Sequence, residues 1–161
     1  MDAAQAYGYM LYLVSLITIG GIYALMCLGL NIQWGFTGLF NAGIAGFFAI
    51  GAYVSAILTT DGSPFHLGGF GLPVAFGLVG AMVVTAVVAW LVGLLCIRLR
   101  SDYLAIATIG IGEIFRLILK NEIWATNGAR GIAKIPLPFE TLAEPWNKIG
   151  FMLLVLAIVV A

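Results

Sequence analysis

Glu113, Arg116 and Lys120 stand at i, i+3 and i+7 in an otherwise apolar stretch, so a helix there sets all three on one face. At that spacing Glu113 and Arg116 can pair within the helix. An ionisable side chain at membrane depth is costly unless it is paired or wet. Two roles fit these residues. The face lines a water-filled path or meets a partner subunit, or the pair is a structural lock between two helices. Asp102, ahead of this stretch, has the chemistry of an N-cap, a carboxylate that accepts a backbone N–H of the first turn.

A second polar group lies in residues 28–46, LGLNIQWGFTGLFNAGIAG, where Asn31, Gln33 and Asn41 are interleaved with five glycines. Glycine weakens a helix and frees φ, and uncharged amides at depth need partners or water. The segment reads as a broken helix or re-entrant turn lining a polar path, which survives only when buried in protein or facing a cavity. An ordinary short turn between two helices, with the amides at the interface, fits as well. Gly38, Ala42 and Gly46 recur every fourth residue, with Ala45 and Ala49 as a shorter stripe beside them. Small residues at this spacing let helix backbones approach closely, so these are candidate packing positions.

No catalytic residue is expected. No nucleophile stands beside a base, and there is no phosphate-binding loop; the NGARG run at 127–131 is too short and follows no strand. His66, the single histidine, has no cluster of Cys, Asp or Glu about it, so neither a metal nor a cofactor is expected. Cys27 and Cys96 sit within apolar runs and read as buried free thiols rather than a disulfide.

The elements that must position these groups follow from composition. Of 161 residues 63% are apolar and 9% charged, against roughly 25% charged in soluble domains. Mean hydropathy is +1.12. A soluble enzyme, a disordered chain and a nucleic-acid binder are excluded, the last because net charge is zero and no basic block exists to track phosphates. No charge falls in residues 3–60 or 62–97. A spanning helix needs roughly 20 apolar residues for a hydrocarbon core of ~30 Å. The pattern therefore gives an all-α, polytopic transmembrane helix bundle as a single domain, with spans near 11–30, 39–58, 72–97, 103–119 and 149–161. Strands are not expected, because outer-membrane strands alternate apolar and polar residues and these runs are continuous.

The stretch 59–71 carries turn chemistry and no Lys or Arg, whereas Arg98 and Arg100 directly follow the third span. The positive-inside rule places the arginine pair in the cytoplasm and 59–71 outside. Arg130 and Lys134 in the loop 121–147, with Lys120 and Lys148 nearby, compete with that orientation. Tyr103, Trp124 and Trp146, at the expected helix ends, suit the membrane interface. Residues 151–161 reach only ~17 Å as helix, too short to cross, so a chain cut inside a transmembrane helix is expected.

The segments GLNIQWGFTGLFNAGIAGFFAIGAYVSAIL (29–58) and RLRSDYLAIATIGIGEIFR (98–116), with NGARGIAKIP (127–136), resemble the permease subunits of branched-chain amino-acid ABC importers, specifically the M-type permease of the high-affinity system. The resemblance implies a multi-pass protein of the bacterial inner membrane that lies in the lipid bilayer beside a second, homologous permease. It further implies two cytoplasmic ATPase subunits beneath and a periplasmic binding protein that delivers leucine, isoleucine or valine, with ATP driving alternating access. Asn31, Gln33, Asn41, Glu113 and Arg116 are then the candidate translocation-path residues. The family's ATPase-coupling segment has no counterpart here. Related permeases import urea or short amides. A non-transporting scaffold would leave Asn31, Asn41 and Glu113 without a reason, and an ion-coupled carrier would need acidic residues in several spans.

Overall fold

The computed structural model describes residues 2–62, 67–96, 98–139 and 144–160. Ser63 to His66 lie outside them, so the reading of His66 and of the Ser63–Pro64 turn does as well. The described residues are helical but for short connections, and their single β pairing is an isolated bridge between Asp61 and Phe70.

Six α-helices follow in order. They are α1 (Ala3–Thr37), α2 (Ile44–Thr59), α3 (Val74–Cys96), α4 (Ser101–Asn121), the short α5 (Ile123–Thr126) and α6 (Trp146–Val160), with a 3₁₀ turn at Gly128–Arg130 after α5. Two are long and apolar enough to cross a bilayer, within Gln5–Thr37 and Val74–Cys96. α2 and α6 are apolar but shorter, and α4 carries Asp102, Glu113, Arg116 and Lys120.

The first helix is longer than the span 11–30, and α2 begins five residues later than position 39. Asn31 and Gln33 do not break the chain. They are part of α1, which runs on to Thr37 and ends where Gly38 takes a left-handed φ of 67°, a conformation that suits glycine. The Thr37 hydroxyl donates back to the Gln33 carbonyl at 2.6 Å. The interruption is thus confined to 38–43.

The chain forms two compact units. In the first, residues 1–29 and 137–161, α1 meets α6 at Gly21, where an added methyl would stand 2.7 Å from Val155 Cγ1. Gly21 and Val155 are both buried, so a side chain on Gly21 would have to displace that of Val155. Lys148 pairs with Glu144 at 3.0 Å just before and within the first turn of α6.

In the second unit, residues 30–136, α2 packs between α3 and α4. On the α3 side, Gly77 and Gly80 receive the side chains of Ser55, Thr59 and Leu58. The connection from α2 to α3 turns back tightly, with the Leu72 N–H donating to the Leu58 carbonyl at 3.0 Å. Cys27 and Cys96 are free thiols. Cys96 is buried but Cys27 is exposed, which corrects the expectation that both are buried. The Asp102 carboxylate does not cap α4. The N-cap position belongs to Arg100, with no side-chain bond; Asp102 is two residues further in, where the helix dipole favours an acid without a capping bond.

Candidate functional site: a cleft between α2 and α4

The start of α2 is held by neighbours rather than by its own cap. The first N–H groups of a helix have no intrahelical partner. Here the Asn41 Oδ1 accepts from the Gly43 N–H at 3.0 Å. The Thr108 hydroxyl, on α4, accepts from the Ala42 N–H at 3.1 Å and donates to the Ala105 carbonyl at 3.0 Å. Asn41 is therefore spent on the turn, and Thr108, buried at 4% exposure, ties that turn to α4.

Directly beyond these bonds the two helices touch backbone to backbone. A methyl on Gly46 would stand 2.8 Å from the Gly112 Cα. One on Gly43 would run into the Thr108 carbonyl, and one on Gly112 would approach the Gly43 Cα at 3.2 Å. Ala42 and Gly46 thus belong to the crossing. Gly38 does not, since a methyl there would meet open space; it lies in the link before α2, where helical i, i+4 spacing no longer applies. Gly43, Thr108 and Gly112 are the contributors that spacing within one segment does not reveal. The signal for Gly112 is the glycine pair Gly110–Gly112 in α4, which matters only once its partner helix is known.

The close approach leaves a cleft of about 280 Å³ beside it. Its floor is Ala42 of the preceding turn with Ala45, Gly46 and Ala49 of α2, and its far wall carries Glu113 and Arg116 on α4. These two side chains form a bidentate pair, with Arg116 Nη2 donating to Glu113 Oε1 at 2.6 Å and Arg116 Nε to Oε2 at 2.9 Å. Parallel N–H···O bonds of this kind are among the stronger charged contacts. Both side chains are about half open, 51% for Glu113 and 60% for Arg116. The pair lies within one helix and does not bridge α2 to α4. A small concave site with an apolar lining and a few placed polar groups is the usual form of a small-molecule site.

Of the candidate path residues, the structure brings Glu113 and Arg116 into this cleft and sets Asn41 at the turn beside it. Asn31, exposed, and Gln33, half-buried, stay on α1 and line no part of it.

Residues 12–161 match the family described as the branched-chain amino acid transport system / permease component. The chain belongs to this permease family. It is 42% identical over 125 residues to the high-affinity branched-chain amino acid transport system permease protein LivM of Salmonella typhimurium LT2, and equally to LivM of Escherichia coli K12. Those alignments cover 78% of this chain and 28% of the relatives. The high-affinity branched-chain amino acid transport system permease protein LivH of Escherichia coli K12 is 30% identical over 119 residues, covering 73% of this chain and 38% of LivH. This permease chain therefore spans just over a quarter of the length of the LivM proteins it matches. No solved structure matches it.

Proposed function

We propose that this chain belongs to the transmembrane permease subunit of an ATP-driven importer for leucine, isoleucine and valine, and that the α2–α4 cleft is part of its translocation path. The carrying observation is the Glu113–Arg116 pair, half open and set over a floor of alanine and glycine, in a chain otherwise poor in charge. A zwitterionic amino acid offers a carboxylate and an ammonium. Arg116 can exchange the carboxylate of Glu113 for that of the ligand, and Glu113 is then free to accept from the ligand's ammonium. The exchange conserves the number of charge pairs, so entry need not leave a bare charge at depth.

The family likeness supports the remaining parts of this reading. A second homologous permease completes the path, two cytoplasmic ATPase subunits drive alternating access, and a periplasmic protein delivers the ligand to a multi-pass subunit of the bacterial inner membrane. In this arrangement 59–71 faces the periplasm and Arg98 with Arg100 the cytoplasm.

The test is reconstitution of the complete transporter in liposomes with ATP inside and substrate-loaded binding protein outside. Leucine, isoleucine and valine should accumulate only with ATP present. Accumulation of urea or a short amide in their place would refute the substrate assignment, and uptake independent of ATP would refute the mechanism.

A further inference from the structure

A second cleft, of about 240 Å³, lies further along the same face of α2. Its lining is Ala52, Tyr53 and Ala56 from α2 with Gly131, Ile132 and Ile135 from the segment after the 3₁₀ turn. At 3.6 residues per turn, Ala45, Ala49, Ala52 and Ala56 fall within about 60° of one another around α2. The first two floor the charged cleft and the last two floor this one. Ala49 and Ala52 are three residues apart, a rise of about 4.5 Å, so the floors of the two clefts follow one another along α2.

The segment that walls the second cleft is fixed in place. Asn127 takes a left-handed φ of 63°, and its Nδ2 donates to the Gly131 carbonyl at 2.8 Å. The Thr126 hydroxyl donates to the Leu119 carbonyl at 2.6 Å and accepts from the Gly128 N–H at 3.3 Å. Gly131 turns with a φ of 68°, and Ile132 and Ile135 after it line the cleft opposite Ala52 and Ala56. Small-molecule sites are usually preformed in this way.

Resting on the reading of the α2–α4 cleft as an amino-acid path, we propose that this second cleft receives the branched aliphatic side chain of the same ligand whose charged groups meet Glu113 and Arg116. The observations divide the ligand as its chemistry does. The cleft with the ion pair suits a zwitterionic head, and the cleft lined by Ile132 and Ile135 suits a carbon branch. Side-chain selectivity then resides in the size of the second cleft, where one methylene more or less shifts discrimination by about 10-fold or more.

The complete transporter in liposomes, supplied with binding protein saturated by leucine or by valine, reads this as the ratio of leucine to valine uptake. Ala52→Leu narrows the cleft and should lower that ratio at least fivefold. Ile135→Ala widens it and should raise the ratio at least threefold. Ala52 and Ile135 are both exposed, so neither change disturbs a packed core, and either variant alone decides the matter. A ratio within twofold of the unaltered transporter in both would overturn the inference while leaving the α2–α4 path standing. An unaltered transporter that moves neither amino acid would remove the path itself, and this inference with it.

Discussion

Gly46 of α2 and Gly112 of α4 face each other with no room for a side chain, an added Gly46 methyl lying 2.8 Å from the Gly112 Cα. The cleft lies beside this contact, where the chain touches α4 at Gly43 and Gly46 and α4 then presents Glu113 and Arg116 over the alanines of α2. Replacing Gly46 by leucine should hold the helices apart, with an overpacking cost of about 1–3 kcal/mol. The yield of intact transporter after mild detergent extraction should fall severalfold. Phe48→Leu is the control, because Phe48 is exposed. Phe47 would be a poor control despite its adjacent position, since its ring packs edge-on against Phe115 at 5.8 Å. Equal yields from Gly46→Leu and Phe48→Leu would show that the crossing does not hold the helices together.

The turn before α2 offers a smaller and separate test. Thr108→Val removes the acceptor of the Ala42 N–H and nearly preserves shape. A part-buried N–H left unpaired costs about 1–3 kcal/mol. Amide exchange at Ala42 should quicken by at least fivefold relative to wild type, with little change in the α3 amides. Unchanged exchange at Ala42 would mean that the turn is held by other contacts.

Much of this architecture is legible in the residues, and the rest is hidden for identifiable reasons. Continuous apolar runs carry helices directly, and α3 begins and ends within two residues of the run 72–97. Glu113 and Arg116 are legible as a pair because i, i+3 spacing is local. The end of α1 is less legible. Asn31 and Gln33 resemble helix breakers at membrane depth, yet an amide within a helix leaves the backbone bonds intact, and it is the positive φ of Gly38 that stops the helix. The roles of Gly43, Thr108 and Gly112, and the folding of Ile132 and Ile135 onto α2, come from which elements meet. Spacing within a single segment does not encode that.

Orientation is open to a direct assay. Leu99, beside the arginine pair, and Leu67, in the connection between α2 and α3, are both exposed. With Cys27 and Cys96 replaced by alanine, Leu67→Cys should react with a membrane-impermeant thiol reagent in intact cells, and Leu99→Cys should react only after lysis. Labelling of position 99 but not 67 in intact cells would reverse the topology.

The ion pair separates two roles. Glu113→Gln removes one charge from a pair that is half open and confined to one helix, so folded yield should stay within twofold of wild type while leucine uptake falls at least tenfold. Exchanging the charges, Glu113→Arg with Arg116→Glu, should keep the protein folded and leave uptake low, because the ligand's carboxylate and ammonium would meet the wrong partners. Normal uptake by the exchanged protein would return Glu113 and Arg116 to a structural role.

The most direct measurement concerns Ala49, on the floor of the charged cleft. In the complete transporter without Cys27 and Cys96, Ala49→Cys should react with a small hydrophilic thiol reagent. That reaction should block uptake, and it should slow at least threefold while leucine-loaded binding protein and ATP keep the transporter cycling. A cysteine at 49 that reacts at the same rate with and without ligand, and whose modification leaves leucine uptake intact, would contradict the assignment of this cleft to the translocation path.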